Sequence, residues 1–305
     1  MKKTLLLTLI ICVTTIFADA QVAVDTHWSD GFTHYVTSEE NGLIQFLGGR
    51  SFLGDCFYLK KSAQNKFVIT ETNSFGKKDA TVEYRTITDG YGKKHNVLVA
   101  LDANKQLIDI IEEDLGDVRE ENFLALLEGD YTDNDNRDWH FKGTTVSGGE
   151  IWMTFDTDNI EIEVILNDVE PANTFKIKEH NNIVLAEFTE DGLAFFNAEE
   201  DPEDGLGRYR KKSEWRDIVH NNDQTRFAFT SKMLINRAML EYFDKPMLRI
   251  MRNEIYARHG YNFASADLKN YFSKQKWYKP VKNNSEVKLS EVEQYNVDII
   301  KMMEK

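Results

Sequence analysis

Pro246-Met247-Leu248-Arg249-Ile250-Met251-Arg252-Asn253-Glu254-Ile255-Tyr256-Ala257-Arg258-His259-Gly260 reads as a helix with both ends marked. Asp244 and Pro246 supply the start signal, and Gly260 supplies the left-handed residue on which a helix can stop without a Cβ penalty. With side chains advancing about 100° per residue, Met247, Leu248, Met251 and Ile255 share one arc, which must face a core. Arg249, Arg252, Tyr256 and His259 share the neighbouring arc. Arg258 falls inside the apolar arc, one turn after Glu254, where an i,i+4 ion pair forms.

Further helical patterns surround this stretch. Met233 to Phe243 is amphipathic, with Met233, Leu234, Ala238, Met239 and Tyr242 apolar. Ser265-Ala266-Asp267 opens a third helix carrying Leu268, Tyr271 and Phe272, and Trp277-Tyr278-Lys279-Pro280 ends it. Ser290-Glu291-Val292-Glu293 is a capping box that opens a last helix, with Val292, Tyr295, Ile299 and Met303 on one face. The spacing predicts a small all-α domain over 232–305, with a core that is marginal by itself. Arg252 to Tyr261, followed by Phe263, the Tyr271-Phe272 pair, Trp277 to Pro280 and Leu289-Ser290, closely resembles the YARHG family, named for Tyr256 to Gly260. The resemblance implies an exported bacterial module, found beside varied other domains including peptidases, with an envelope-associated role and no settled biochemical activity.

Upstream, the pattern changes to short extended runs separated by Gly, Asn and Asp. Residues 42–47, 52–59, 66–72, 81–88, 95–101 and 106–111 are rich in Val, Ile, Thr, Phe and Tyr, as strands are. They predict a first antiparallel β domain over 21–117, a sheet or small barrel. Trp28, Phe32 and Tyr35 are assigned to its packing. Glu120 to Gly129 reads as a short helical lead-in ending at glycine. A second series then follows at 130–132, 139–142, 151–155, 160–166, 174–178, 183–188, 193–197 and 207–210, predicting a second β domain over 118–212. Its Leu127-x-Gly129-x-Tyr131 opening and meander of short strands resemble lipocalin-like barrels, which implies an apolar ligand cavity if the barrel is open. Residues 213–231 read as a linker. The fold class expected is therefore multidomain: two all-β domains followed by a small all-α domain.

Met1-Lys2-Lys3, the 14-residue apolar run Thr4–Phe17 and the small-x-small site Ala18-Asp19-Ala20 predict a signal peptide over 1–20, cleaved after Ala20. No other stretch suggests a transmembrane segment, so a periplasmic or extracellular location is expected. After cleavage Cys56 is the one remaining cysteine, which excludes an internal disulfide and reads as a buried, inert thiol. Charge is unevenly spread: residues 111–204 carry 27 Asp/Glu against 5 Lys/Arg, whereas 246–282 carry 8 Lys/Arg against 2 Asp/Glu. With a net charge of −14, nucleic acid is excluded as a partner.

No catalytic residue and no metal site is predicted. Asp133-Asn134-Asp135-Asn136-Arg137-Asp138 fails the calcium-loop template at Arg137, Asp138 and Thr144, and reads as a polar hairpin turn. His27 and His34 lack further ligands at usable spacing. His259 lacks a nucleophile or orienting group in sequence, so it reads as a structural residue of a last helical turn. Glu254, Arg258 and Gly260 are assigned structural roles. Arg249, Arg252, Tyr256, His259, Trp277 and Tyr278 are the candidate binding residues, suited to carboxylate-bearing ligands by the +6 segment they occupy. The leading expectation is a non-enzymatic exported envelope protein without a cofactor, whose last domain docks to cell-wall material or an envelope protein. The alternatives are a small apolar ligand carrier and a hydrolase-associated accessory protein.

Overall fold

The computed structural model describes residues 22–48, 54–114, 125–141, 150–155, 158–165, 174–179, 182–200, 209–221 and 223–305. The predicted signal peptide lies outside them. Eight strands form a first antiparallel meander: β1 (His27–Ser29), β2 (His34–Glu40), β3 (Leu43–Gly48), β4 (Cys56–Ala63), β5 (Lys66–Thr72), β6 (Thr81–Thr88), β7 (Lys94–Leu101) and β8 (Leu107–Glu113). Each pairs with the next, and β1 pairs with β8 through Trp28 opposite Glu113, so the sheet closes on itself and leaves no free edge. Asn41-Gly42 makes the β2–β3 turn with φ of 53° and 74°, the double left-handed geometry that matches strand twist.

The interior of this first barrel is solid. Inward residues Trp28, Tyr35, Phe46, Phe57, Phe67 and Phe75 are buried, with the Phe46 and Phe57 rings stacked at 4.2 Å and Phe75 tilted onto Phe57 at 4.6 Å. Eight strands enclose a space just wide enough for side chains to fill, and these aromatic rings fill it. Two strands, β1 and β2, had no counterpart among the predicted runs. His27–Ser29 is too short to show alternation, and β2 carries Thr37, Ser38, Glu39 and Glu40, so backbone pairing places both.

The second ring comprises β9 (Gly129–Asp133), β10 (Asp138–Phe141), β11 (Glu150–Phe155), β12 (Asp158–Ile165), β13 (Thr174–Glu179), β14 (Asn182–Phe188), β15 (Gly192–Glu200) and β16 (Tyr209–His220). It is also an antiparallel meander, closed where β16 pairs with β9, His220 opposite Tyr131. A helical turn at 125–127 precedes it, within the predicted 120–129 helix. The expected apolar cavity would be lined in part by side chains 142–183, which lie outside the described residues. The expected 213–231 linker is corrected. Residues 213–220 belong to β16, whose backbone pairs with both β15 and β9. Its run Lys211-Lys212-Ser213-Glu214-Trp215-Arg216-Asp217 hides the strand, because ladder hydrogen bonds need no apolar alternation.

Four α-helices follow: α1 (Arg237–Leu240), α2 (Lys245–Arg258), α3 (Ala266–Ser273) and α4 (Glu291–Met303). The predicted helix over Met233–Phe243 shortens to α1, because Asn236 is extended and caps it, its side chain accepting the Met239 N–H at 3.0 Å. A 3-10 turn, Ala228–Ser231, leads into it. The helices share one apolar core with the second barrel, running from Trp139, Phe141 and Phe195 through Phe188, Phe243, Met251, Ile255 and Ile300. That core also covers the outer face of the first barrel at Ile87, Val97, Val99 and Ile110. Hence β7 is apolar on both sides: Leu98 and Ala100 face the barrel interior while Val97 and Val99 face the helices.

Candidate functional site

Helix α2 begins as its sequence dictates. The Asp244 carboxylate accepts the Met247 N–H at 2.8 Å, and Pro246 sits in the first turn. It ends in a Schellman motif. Gly260, at φ +77°, donates to Ala257 O at 2.8 Å, and Tyr261 N–H donates to Tyr256 O at 3.0 Å. The accompanying contact is the edge-to-face pair of Tyr256 and Tyr261, at 5.6 Å. A Cβ on Gly260 would stand 2.7 Å from the Lys279 carbonyl, because the Trp277–Pro280 run returns over the helix end. The Tyr256–Gly260 motif is thus a helix terminus with a second segment packed on it.

The buried side of α2 carries the predicted ion pair. Arg258 Nη1 lies 2.9 Å from Glu254 Oε1, with the Glu254 side chain 2% exposed. Burial pushes the Glu254 carboxyl up, and Arg258 with the N–H groups of Phe227 and Arg226 opposes that shift. Those N–H groups donate to Glu254 at 2.8 and 3.2 Å, while Arg258 donates to Phe227 O, Thr230 Oγ1 and Ser231 Oγ at 3.1, 2.7 and 2.7 Å. Ser231 in turn donates to Glu293 at 2.5 Å, and His259 Nε2 lies 2.9 Å from both Glu293 oxygens. Glu293 also completes the capping box of α4 with Ser290. Arg226 extends the network into the second barrel, donating to the carbonyls of Thr189, Glu190 and Gly192 in the β14–β15 turn. One chain of polar contacts therefore links that turn, the 226–231 segment, the end of α2 and the start of α4.

Chemically, this arrangement fixes segments in place. A nucleophilic serine needs a general base on its hydroxyl. Here the Ser231 hydroxyl donates to a carboxylate and accepts from a guanidinium, and His259 faces the same carboxylate. Among the described residues no group of three or more His, Cys, Asp or Glu is placed to hold a metal ion. His34 bonds Asp114 at 2.9 Å, and His27 lies exposed opposite Val36. The 133–138 stretch is a hairpin turn in which Asp133 accepts from Asp135 N–H, Arg137 N–H, Trp139 Nε1 and Arg216, so its carboxylate is already occupied. Cys56 is free and half-buried.

The six candidate binding residues are engaged within the domain. Arg249 holds Asp267 at 2.6 Å, and Arg252 grips Glu304 through two bonds of 2.5 and 2.9 Å. Tyr278 donates to Tyr261 O at 2.7 Å, and Trp277 and Tyr278 pack around the buried Phe272. The structure brings Arg249 to the rim of a groove of about 680 Å³ where α2 meets the β14–β15 turn. Its lining also includes Tyr271, Glu190, Asp267 and Glu304. Sequence reasoning missed Glu190 and Arg226. Arg226 sat in the supposed linker, where the flanking Phe227 and Phe229 were the available sign of a packed segment.

No described helix is long and apolar enough to cross a membrane. Neither the curated proteins nor the solved structures compared with the chain give a match. Residues 227–305, the last quarter of the chain, match the YARHG domain family, a domain typical of extracellular and periplasmic proteins.

Proposed function

We propose that this is an exported, non-enzymatic envelope protein whose YARHG domain docks to an envelope partner while remaining built into the second barrel. One observation chiefly supports this reading. The ionisable groups of the motif, Glu254, Arg258 and His259, are bound to other parts of the chain in ways that fix its geometry. The signal-peptide pattern over 1–20 supports export. Docking falls to the seam between α2 and the β14–β15 turn, where the domain presents its groove.

In-cell photo-crosslinking tests the reading. A benzophenone side chain in place of Tyr271 is expected to give a discrete adduct with one envelope component. The same group in place of Tyr91, an exposed turn residue of the first barrel, is expected to give none. Identical adducts at both positions would count against docking at the seam. Hydrolytic turnover by the full chain, abolished in His259→Ala at unchanged Tm, would overturn the non-enzymatic assignment.

A further inference from the structure

The groove at the α2 seam is lined by both apolar and ionisable residues. Pro246, Met247, Ile250 and Tyr271 supply its apolar lining, with Met247 the buried member. Its ionisable lining comprises four carboxylates, Glu190, Asp244, Asp267 and Glu304, against the two cations Lys245 and Arg249. The balance is 2 − 4 = −2. Both cations already have partners: Arg249 holds Asp267 at 2.6 Å, and Lys245 donates to Lys305 O at 2.8 Å. An incoming carboxylate would have to displace those partners and enter a negative field. Three of the carboxylates are engaged as well, Asp267 by Arg249, Glu304 by Arg252 and Asp244 by the Met247 N–H, and counting Arg252 the balance is 3 − 4 = −1. An incoming amine or guanidinium therefore meets Glu190 directly and the remaining lone pairs of the other three.

The +6 count over 246–282 pointed the other way because it was taken along the chain. Glu190 comes from the second barrel, and Asp244 and Glu304 come from outside that segment, so folding reverses the sign at the groove. We propose that the groove binds a lysine- or arginine-bearing peptide segment of a partner protein, an assignment that rests on the docking reading above and names its ligand. The alkyl stem of such a side chain lies along Met247 and Ile250 while its charged end reaches the carboxylate rim. A volume of about 680 Å³ is within the range of small-ligand sites, room for a short extended segment. The net charge of −14 draws a basic partner towards the chain and repels carboxylate-rich wall polymer.

The test is fluorescence anisotropy with the chain spanning 21–305, using a labelled Gly-Lys-Leu repeat peptide and its Gly-Glu-Leu counterpart. Saturable, salt-sensitive binding of the lysine peptide alone is expected. Glu190→Lys reverses a rim charge and is expected to weaken binding by roughly tenfold or more. Glu286→Lys makes the same charge change at an exposed position outside the groove and is expected to stay within about twofold, as non-contacting surface changes do. Equal loss at both positions, preference for the glutamate peptide, or absence of binding at low salt would overturn the proposal. In the last case a Tyr271-specific crosslink in cells would still uphold docking, so the two readings fail separately.

Discussion

The two barrels have the same strand count and the same next-neighbour closure, yet their cores end in different places. The first barrel keeps its aromatic interior to itself, as a cluster from Trp28 to Ile111 separate from the helices. The interior of the second barrel continues into the YARHG domain without a break, through Phe188 against Phe243 at 4.4 Å. Their buried histidines differ in kind as well. His95 lies between Glu112 at 2.5 Å and Asp89 at 3.0 Å, beside a turn whose Gly90 N–H donates to Lys232 O. His220, opposite Tyr131 in the closing pair of the second barrel, has an Nε2 with no hydrogen-bond partner among the described residues. The difference teaches that equal topology does not set equal dependence. The first barrel supports its own core and lends the helices an outer face, whereas the second barrel and the YARHG domain must stand or fall together.

The largest expected effects come from cutting each core where it is most committed. Glu254→Gln removes the charge that Arg258 was buried against and is expected to cost about 3–5 kcal/mol in the second barrel and the YARHG domain. Phe57→Ala empties a fully buried ring site in the first barrel and is expected to cost a similar amount, about 3–5 kcal/mol, read by denaturant unfolding. If either variant unfolds both barrels in one step, the division of cores is wrong.

Titration sharpens the same contrast, with opposite signs. Burial, aided by Arg226, lowers the His220 value from 6.5 to about 4. The unfolded chain therefore binds the extra proton first, and stability falls as pH drops from about 6.5 towards 4, by roughly 3 kcal/mol over the interval. His220→Leu is expected to flatten that limb in pH-dependent melting. At His95, burial acts downward, but hydrogen bonds to Glu112 and Asp89 outweigh it and raise the value above 6.5. Its contribution is complete below 6.5 and is lost as pH rises through the folded value. In amide exchange, Gly90 is expected to lose protection on the alkaline side, and His95→Gln is expected to remove that dependence. The smallest effect belongs to the groove rim. Arg249 and Asp267 are 39% and 62% exposed, so Arg249→Ala is expected to change stability by at most about 1 kcal/mol.

Much of this was legible in the sequence wherever local chemistry decides. The ends of α2, the Glu254–Arg258 spacing and the Ser290–Glu293 capping box depend on neighbours within a turn, and the fold places them as the residues predict. Runs such as 66–72 and 81–88 were readable because alternation and turn residues are also local. Three things were not. Strand β16 was hidden because its charged residues are held by backbone pairing, on one side with β9, which is distant in sequence. The role of Arg226 depends on the carbonyls of Thr189, Glu190 and Gly192, which no pattern around residue 226 reveals. The sign of the groove depends on carboxylates gathered from four separated segments. One long-range signal was present: Val97-Leu98-Val99-Ala100-Leu101 is continuously apolar, the mark of a strand covered on both faces.

The most direct test of the shared core is hydrogen exchange, followed by mass spectrometry, on the full chain carrying Glu254→Gln. Protection is expected to fall together in α2, α4 and strands β14 to β16, with β3 to β5 of the first barrel unchanged. Loss confined to the helices, with the second barrel fully protected, would contradict the account and make the YARHG domain a separate attachment.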